Sequence, residues 1–592
     1  MTPDPASPPV AAPAADDRRR RGPGRLKGRQ PEAIAVADVR ALIGPGPHPR
    51  DRLIELLHLL NDRWGLLYER HLVALAAQMR LSVVEVYEVA SFYHHFDVAS
   101  DDTPAPRVTL RVCDGLACTM AGAAALHEGV AAVIGADVRL RAAPCVGRCE
   151  QAPVAVLGQR PLPQATPGAV EAALAAGEHT HPLADDRAVF DPAAAAPAAL
   201  TPPDGGIAPA YVGYDAYRAQ GGYRLAAAVA GGERSADDLI QALDDAGLRG
   251  LGGAGFPAGR KWRIVRAYPA PRLMAVNIDE GEPGTFKDRS YLERDPHRFL
   301  EGVLIAAQVV GTEAVYLYLR DEYHGCRALL ERELARLQAD PPCPLPRFEL
   351  RRGAGAYICG EESAMIESIE GKRGEPRLRP PYIAEVGLFG RPTLEHNFET
   401  LYWVRDIALR GAAWHTSFGR HGRTGLRSFS VSGRVRLPGL KLAPAGITLR
   451  ELVDEYCGGM AEGHTLYGYL PGGASGGILP ATLADVPLDF DTLQPHGSFI
   501  GSAAVTVLSQ VDRARDAALN AMRFFADESC GQCTPCRVGT DKAARLMTAP
   551  HWDQATLDDL SQVMADASIC GLGQAAPNVV RCVQRYFPDE VK

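Results

Sequence analysis

The stretch GLRGLGGAGFPAGRKW at residues 247–262 decides how the rest of the chain is interpreted. It contains Gly250, Gly252 and Gly255 in the G-x-G-x-x-G spacing of dinucleotide-binding turns. That turn normally follows a strand, whereas the preceding ADDLIQALDDAG has the charge and apolar spacing of a helix. We therefore expect a different glycine-rich loop, whose backbone N–H groups approach a ligand while Arg260 and Lys261 attract phosphate. A flexible turn is the alternative.

Two polar loops follow downstream. The strand RLMAV leads into NIDEGEPGTFKDR at residues 277–289, and GAGAYICGEES follows at residues 353–363. Clustered acceptors would repel a phosphate, so we expect them to face the uncharged parts of a cofactor. A solvated acidic helix cap is the alternative for the second loop. The acceptors are Asn277, Asp279, Glu280, Glu282, Glu361 and Glu362.

Near the C-terminus, Cys530, Cys533 and Cys536 stand at two-residue gaps, and Cys570 follows in SICGLG. Three thiolates on one tight loop plus a remote fourth suit the corners of a [4Fe-4S] cluster. A structural zinc site also takes four thiolates, but usually from two separated C-x2-C pairs. The sequence therefore favours iron–sulfur over zinc.

A second cysteine set lies near the N-terminus. Cys113 and Cys118 follow the alternating strand RVTLRVC, and Cys145 and Cys149 lie on a later loop. Two loops that each offer a pair of thiolates suit a [2Fe-2S] cluster, and zinc is the alternative.

Composition excludes several classes of protein. The chain has 592 residues and a formal net charge of −8, which lacks the basic footprint of a nucleic-acid binder. Its best apolar run, FLEGVLIAAQVVG, is too short to cross a bilayer, and no export signal follows the basic cluster at residues 18–21. Thirteen cysteines without a disulfide-type pattern fit a reducing compartment. We expect a cytoplasmic protein that binds neither nucleic acid nor membrane.

Pattern changes along the chain predict a multidomain protein of α/β and α+β class. We expect a disordered tail at residues 1–30, a helical bundle at 31–104 and a small α/β unit at 105–178. A Pro- and Ala-rich linker at 179–210 precedes an α/β sheet domain at 211–425. An α+β module at 426–505 and a helical bundle at 506–592 complete the chain.

Taken together, these motifs resemble a known family. Residues 211–592 resemble the flavin-bearing, NADH-oxidising subunit of respiratory complex I and its relatives in soluble hydrogenases and NAD-dependent formate dehydrogenases. Residues 31–178 resemble the thioredoxin-like [2Fe-2S] subunit of the same module, fused in front. The resemblance rests on GGAGFP, DEGEPGTFKDR, GAYICGEE and ESCGQCTPCR. It implies that the 426–505 module is a β-grasp fold, for which we expect a structural role.

The resemblance also implies which residues bind cofactors. Glu282 and Glu361 are the candidate catalytic residues. Phe256, Glu282, Arg379 and Tyr382 would contact the nicotinamide nucleotide. At four positions this chain departs from the residue that the family commonly has. The family has Arg at Leu251, Asn at His396, Lys at Arg379 and Phe at Tyr382. The residues that would hold or adjoin FMN are Gly250, Gly252, Gly253, Gly255, Lys261, Asn277, Asp279, Glu280, Tyr357, Gly360, Glu361, Glu362, His396, Asn397 and Thr400.

We therefore expect an oxidoreductase in which NAD(H) exchanges a hydride with FMN, and FMN exchanges single electrons with the [4Fe-4S] cluster. No terminal substrate site is evident, so a large catalytic partner subunit is implied. The resemblance favours a formate dehydrogenase partner carrying a molybdenum or tungsten pterin cofactor and further iron–sulfur clusters. The diaphorase subunit of an NAD-reducing hydrogenase, a fused complex I subunit and a non-catalytic metal-binding scaffold are the alternatives.

Overall fold

The computed structural model describes residues 28–185 and 207–592. Residues 1–27 of the predicted tail and residues 186–206 of the predicted linker lie outside these ranges. Within the described ranges, no helix has the length and apolar character needed to span a lipid bilayer.

The N-terminal bundle packs four helices around a two-stranded parallel ribbon. Its final helix begins with a capping box, in which Ser82 and Glu85 each bond the other's backbone N–H. The elements are α1 (Ala33–Ile43), α2 (Leu53–Trp64), β1 (Leu67–Tyr68), α3 (Glu69–Met79), α4 (Val83–Phe92) and β2 (Val98–Ala99).

The next unit is a small α/β fold with strand order β4-β3-β5-β6. Strand β3 pairs in parallel with β4 and antiparallel with β5, so the cysteine at the end of β3 lies in the middle of the sheet. The elements are β3 (Val108–Cys113), α5 (Leu116–Met120), α6 (Ala123–Ala131), β4 (Val138–Ala143), β5 (Ala155–Leu157), β6 (Arg160–Leu162) and α7 (Pro167–Ala176).

The central domain is built on a parallel sheet of order β10-β7-β8-β9. The predicted helix before the glycine-rich loop is confirmed as α10. The elements are α8 (Tyr214–Ala219), α9 (Arg224–Ala230), α10 (Ala236–Asp245), α11 (Ala258–Ala267), β7 (Arg272–Ile278), α12 (Lys287–Leu292), α13 (Pro296–Val310), β8 (Thr312–Leu319), α14 (His324–Ala339), β9 (Arg347–Arg352), α15 (Glu362–Ile369), β10 (Thr393–Asn397), α16 (Phe398–Arg410) and α17 (Ala412–Thr416).

In this sheet the carboxyl ends of β7 and β10 meet. Asn277 and Asn397 are direct neighbours in the parallel register, so the loops that follow them emerge at the same edge. Behind the sheet, the buried helix α13 packs closely on α16, and a side chain at Gly302 would collide with the backbone of Leu401. The edge that carries the polar loops is therefore held on a rigid support.

A mixed five-stranded sheet follows, with order β12-β11-β15-β13-β14. Its last strand ends at Ser509, so the boundary predicted at residue 505 falls inside a strand, and we propose that this module extends to Ser509. The elements are β11 (Leu426–Gly433), β12 (Gly439–Pro444), α18 (Leu449–Glu451), β13 (Leu466–Leu470), β14 (Leu479–Pro480) and β15 (Ala504–Ser509).

The C-terminal region is helical, as predicted. Apolar residues of α19, α20 and α23 share one core with the N-terminal bundle and α15. The elements are α19 (Ala514–Asp527), α20 (Thr534–Met547), α21 (Gln554–Ala567), α22 (Gly571–Ala575) and α23 (Pro577–Tyr586).

Candidate cofactor sites

A cleft of about 340 Å³ lies at the shared carboxyl edge of β7 and β10. The glycine-rich loop, the acidic loop after β7 and the loop before α15 form much of its wall. Parallel sheets bind ligands at this edge, where the strand order reverses. The predicted cofactor-binding residues that line the cleft are Gly252, Gly253, Asn277, Asp279, Glu280, Glu282, Tyr357, Gly360, Glu361 and Asn397.

Asn277 and Asp279 shape the start of the acidic loop. The Asn277 amide donates to the Gly360 carbonyl at 2.8 Å and accepts from the Asp279 N–H at 3.0 Å, which ties the two polar loops together. The Asp279 Oδ2 atom is inaccessible to solvent and accepts no hydrogen bond from any residue that the structure describes. Burial raises the pKa of the Asp279 carboxyl well above its ordinary value.

Glu282 is held in one geometry by two segments that are distant in sequence. Its Oε1 accepts from the Ser475 N–H at 2.8 Å, and its Oε2 accepts from the Ser475 hydroxyl at 3.2 Å and from the Tyr357 hydroxyl. Burial raises the pKa of Glu282 above its ordinary value, and these three donors act in the opposite direction. The carboxylate therefore presents a fixed acceptor at the cleft wall.

Glu280 lines the cleft, and both of its carboxylate oxygens also accept hydrogen bonds inside the protein. They accept from the Asp288 and Arg289 N–H groups at 2.8 and 3.1 Å and from the Tyr323 hydroxyl at 2.8 Å. Burial, with Asp288 nearby, raises the pKa of Glu280 to about 7. Its main effect is to cap α12.

Helix α12 brings Lys287 to the cleft, a residue that the sequence reasoning missed. Its ammonium group lies 2.7 Å from Asp288 and 3.2 Å from Glu399. Burial by itself lowers the pKa of Lys287, but these carboxylates raise it above the ordinary value. The cleft thus has a permanent cation beside Asn397, whose amide oxygen is 3.3 Å from the ammonium group.

Several predicted residues support the cleft from behind. Thr400 accepts the Leu251 N–H at 2.9 Å and so fixes the glycine-rich loop. His396 is buried and accepts from the Trp262 indole at 2.8 Å, while Lys261 binds Glu395 at 3.0 Å. Burial lowers the pKa of His396 well below its ordinary value, so it stays neutral. The Gly250 N–H donates to the Phe256 carbonyl, and the Gly255 carbonyl accepts from the Arg249 guanidinium. These two hydrogen bonds close the turn.

Of the residues predicted to contact the nicotinamide nucleotide, Glu282 lines the cleft, whereas Phe256, Arg379 and Tyr382 do not. Phe256 and Tyr382 are large and exposed, and the Arg260 guanidinium lies over the Phe256 ring, 5.5 Å from its centroid. Arg379 pairs with Glu361 and lies 3.0 Å from Glu362. Glu361 also caps α15 by accepting the N–H groups of two residues of its first turn.

Two walls of the cleft were not predicted from sequence. The β-grasp module, for which we expected a structural role, lines it, and so does α22. Two features of the sequence could have predicted these walls. The glycine-rich turn LPGGASGG could have indicated the wall from the β-grasp module, and the segment directly after Cys570 could have indicated the wall from α22. The additional lining residues include Gly472, Ser475, Phe499, Gly501, Ser502, Gly571, Leu572 and Ala575.

The four C-terminal cysteines converge next to this cleft. The Cys536 thiol is within hydrogen-bonding reach of Cys533 and interacts with Cys530, and Cys570 also interacts with Cys530. Cys533 and Cys570 begin α20 and α22, so helix N-termini point toward the thiols. Gly571, the residue directly after Cys570, lines the cleft together with Leu572, so this cluster cysteine adjoins the cleft wall.

The four N-terminal cysteines also form one cluster, and all of them are buried. The Cys113 thiol reaches those of Cys118 and Cys145, and the Sγ atoms of Cys145 and Cys149 are 3.2 Å apart. The predicted grouping of the two loops is therefore present in the structure.

Arg320 connects this cysteine cluster to the cleft. Its guanidinium donates to the Cys145 carbonyl at 2.7 Å and to the Glu280 carbonyl. On the other side, the Phe524 ring of α19 lies 4.9 Å from that of Tyr357, and Glu528 accepts the Tyr357 N–H at 2.8 Å. Both cysteine clusters are thus mechanically tied to the loops that line the cleft.

The residues fit the cofactors that the sequence predicts. A side chain at Gly252 would come within 3.0 Å of the Asn397 Cβ, so the loop leaves room for a ligand only as glycine. The inaccessible, unpartnered Asp279 oxygen fits a ligand donor, and Lys287 fits an anionic group. Each cysteine cluster offers four thiols, the donor set of iron–sulfur centres.

Comparison with known proteins agrees with this geometry. Residues 243–406 match the Nuo51 FMN-binding domain, residues 516–592 the NADH-ubiquinone oxidoreductase-F iron-sulfur binding region, and residues 39–178 the thioredoxin-like [2Fe-2S] ferredoxin. The mitochondrial NADH dehydrogenase [ubiquinone] flavoprotein 1 of Dictyostelium discoideum is 41% identical over 379 residues, 61% of this chain and 79% of its own. The mitochondrial NADH-ubiquinone oxidoreductase 51 kDa protein of Aspergillus niger is 39% identical over 377 residues, 60% of this chain and 76% of its own.

A solved structure matches nearly the whole chain. The NAD+-reducing [NiFe]-hydrogenase in its H2-reduced state has a chain with 34% identity and a TM-score of 0.75, over 92% of this chain and 93% of that one. The expected multidomain fold, the FMN, the NAD(H) and both iron–sulfur clusters are confirmed. The chain belongs to the 51 kDa family of NADH-oxidising flavoproteins, with a thioredoxin-like [2Fe-2S] domain in the same polypeptide.

Proposed function

We propose that this chain is the NAD(H)-reacting electron-transfer subunit of an NAD-dependent formate dehydrogenase. The observation that carries the electron-transfer part is the position of α22, which begins directly after Cys570 and lines the cleft with Gly571, Leu572 and Ala575. A cofactor in the cleft would therefore lie against the helix whose N-cap is a cluster cysteine. Such proximity favours electron exchange between the two sites.

The residues of the cleft divide into groups with different tasks. Gly252 and Gly253 would let backbone groups approach the flavin, and Lys287 would offer a cation, held by Asp288 and Glu399, to an anionic group of the cofactor. Glu282, fixed by Ser475 and Tyr357, is placed to accept a hydrogen bond from the nicotinamide nucleotide. When bound, FMN supplies the conversion between two-electron nicotinamide chemistry and one-electron iron–sulfur chemistry.

Three side chains outside the lining of the cleft would contact the NAD nucleotide. Tyr382 and Phe256 would offer exposed ring surface for stacking, the latter beside the Arg260 guanidinium, and Arg379 offers a cation that Glu361 and Glu362 hold in place. We propose that Glu361 acts at the reaction site through this pair with Arg379. Its cap on α15 keeps its carboxylate oriented.

The partner follows from what the chain lacks. The motifs of the described residues account for NAD, FMN and two clusters, and none of these motifs is typical of a centre that oxidises a one-carbon acid. Formate oxidation would therefore occur on a large partner subunit with a molybdenum or tungsten pterin cofactor and further clusters. Sequence resemblance of LLHLLNDRWG and RGAGAYICGEES to formate dehydrogenase β subunits supports this partner. Cysteine ligands that must stay reduced support a cytoplasmic location.

A diaphorase role in an NAD-reducing hydrogenase is the second candidate. The observation that favours it is the match to a hydrogenase chain over 92% of this sequence, which includes the fused N-terminal region. Purification of the native complex decides between the two. Molybdenum or tungsten with formate-dependent NAD reduction supports the formate partner, whereas nickel with hydrogen-dependent reduction and no response to formate contradicts it.

The common electron-transfer function is tested on the isolated chain. We expect FMN-reconstituted protein to oxidise NADH with an artificial acceptor. A reconstituted protein without this activity would contradict the assignment. Cys533→Ala should remove the [4Fe-4S] electron paramagnetic resonance signal and stop single-turnover transfer to the partner, while NADH oxidation by dye persists. Cys343→Ala, a cysteine outside both clusters, is the matched control and should leave the signal unchanged.

A further inference from the structure

A second cavity is lined in part by the first residues of the glycine-rich loop, Gly247 to Leu251. It has a volume of about 220 Å³ and is walled by residues 247–251, the segment before β11 and the Asp489–Phe490 turn. Among the described residues, no residue lines both this cavity and the cofactor cleft. A ligand in this cavity would therefore not compete with the nucleotides.

Three guanidinium groups line this cavity against one buried carboxylate. Arg423 and Arg427 share Asp489, at 2.7 and 2.8 Å to its two oxygens. Arg249 is paired with Asp491, which is mostly exposed at the rim. His415 also lines the wall, but burial lowers its pKa below the ordinary value, so it adds no charge. Three guanidinium groups thus share two carboxylates at the cavity, and Glu399 also interacts electrostatically with Arg427.

The hydrogen-bonding capacity of Arg427 is not fully used within the described residues. It is only 5% exposed, and its Nε has no hydrogen-bond partner among the residues that the structure describes. Burial lowers the pKa of Arg427 despite the proximity of Asp489. A buried guanidinium with an unpaired donor is costly, and an anion in the cavity would relieve that cost.

Phe490 restricts what kind of anion fits. The guanidinium carbons of Arg249 and Arg427 lie over its ring, each 4.2 Å from the centroid. With two cations over the ring, little of its surface remains for stacking a nucleotide base. The cavity has room for roughly 7 water molecules at about 30 Å³ each, which is enough for one or two phosphate groups.

We propose that this cavity is a binding site for inorganic phosphate or pyrophosphate, held by Arg249, Arg423 and Arg427. Arginine forks match the geometry of phosphate oxygens, and the chain provides three of them on one wall. The inference goes beyond the proposed function, because NADH oxidation does not require this site.

Occupation of the site would also stabilise the cofactor loop. Arg249 donates to the Gly255 carbonyl at 2.6 Å, and the neighbouring Leu251 N–H is fixed by Thr400 at 2.9 Å. An anion that orders Arg249 therefore restrains the loop through a residue that does not line the cofactor cleft. We expect saturating phosphate to slow the release of FMN from the holoprotein at least twofold.

Isothermal titration calorimetry on the FMN-loaded full chain tests the binding. We expect one saturable site for phosphate and for pyrophosphate at constant ionic strength, and at least tenfold weaker binding in Arg249→Gln/Arg423→Gln. Arg420→Gln removes an exposed guanidinium that pairs with Glu455 outside the cavity, and should bind as the wild type does. No saturable binding, or equal binding in the double variant, would overturn the proposal.

Two further measurements cover the remaining outcomes. If the double variant does not fold, phenylglyoxal modification of wild-type Arg249 and Arg423 is followed by peptide mass spectrometry. Pyrophosphate should slow the modification of these two arginines at least fivefold. Equal modification rates with and without pyrophosphate would overturn the proposal. ADP should bind no more tightly than pyrophosphate, and a clear preference for ADP would replace the proposal with a nucleotide site.

Discussion

Asp279 carries a carboxylate oxygen that is closed off from solvent at the edge of the cofactor cleft. Burial raises its pKa, so the folded protein holds a proton that the unfolded chain releases above the ordinary value of about 4. The free energy of unfolding contributed by this group therefore falls as the pH rises from about 4 toward the folded pKa, by about 1.4 kcal/mol per pH unit.

Asp279→Asn should remove this pH dependence. We expect the thermal midpoint of the FMN-free variant to exceed that of the wild type by a margin that grows between pH 5 and pH 7. Differential scanning calorimetry at both pH values measures it. Asp558→Asn, an exposed site, is the control. A margin that stays constant with pH would show that Asp279 is ionised in the folded protein.

Glu282 is a second residue whose environment makes a definite prediction. Glu282 accepts hydrogen bonds from the Ser475 N–H, the Ser475 hydroxyl and the Tyr357 hydroxyl. In Glu282→Gln an NH2 group replaces one carboxylate oxygen and cannot accept from these donors, so up to two hydrogen bonds are lost. We expect kcat/KM for NADH to fall about 10- to 100-fold, or about 1.4 to 2.7 kcal/mol, with FMN content retained. Steady-state kinetics with a dye measures it, with Glu462→Gln as the exposed control. An unchanged kcat/KM would remove Glu282 from nucleotide binding.

Helix α22 is short, yet it adjoins both the cluster cysteines and the cleft. A side chain at Gly573 would collide with Ser568 and come within 2.9 Å of the Cys536 Cβ. The spacing of Cys536 and Cys570 therefore depends on a glycine at the third position of the helix.

Gly573→Ala should prevent assembly of the C-terminal cluster. We expect the iron content to fall toward that of the [2Fe-2S] cluster alone, while FMN is retained. Iron analysis and electron paramagnetic resonance measure it. Gly168→Ala, at a glycine with open space in α7, should keep all iron. Full iron content in Gly573→Ala would show that the helix can move away from Cys536.

The elements also show how far sequence reasoning reaches. The helix at 236–245, the strands β7 and β8 and the cysteine grouping were predictable, because their signals are local spacings. The hydrogen bond from the Ser475 N–H to Glu282 joins residues 193 positions apart, and no spacing encodes it. Glu280 was assigned to the cofactor from its position in the loop, and no spacing predicted that its oxygens also cap α12.

At the scale of the whole molecule, the N-terminal bundle is fastened to the central sheet by charge. Arg351, at the end of β9, is buried and binds Asp51 at 2.7 Å and Glu55 at 3.2 Å. The adjacent Arg352 binds Asp62 at 2.6 Å, and the His58 ring is 2.8 Å from the Gly353 carbonyl. Removal of one partner from such a buried group leaves charge without compensation.

Arg351→Met should loosen this contact by about 3 kcal/mol. We expect the calorimetric transition of the N-terminal region to move to lower temperature and the [2Fe-2S] cluster to become more accessible to reductants. Arg347→Met, at a guanidinium that is 62% exposed, should change neither property. An unchanged transition would mean that apolar contacts alone hold the bundle in place.

The shared walls of the cofactor cleft restrict how such chains can be recombined. The central domain, the β-grasp module and α22 each supply part of the wall of the cleft. A chimaera joined at residue 425 or 510 would therefore combine cleft walls from two different proteins. Such hybrids would need residues 472–475, 499–502 and 571–575 transplanted together with the glycine-rich loop. The N-terminal region meets the rest through Arg320, through Arg351 and through the apolar core that its bundle shares with α15, α19, α20 and α23. Exchange of that region would therefore also require an apolar surface that matches these helices.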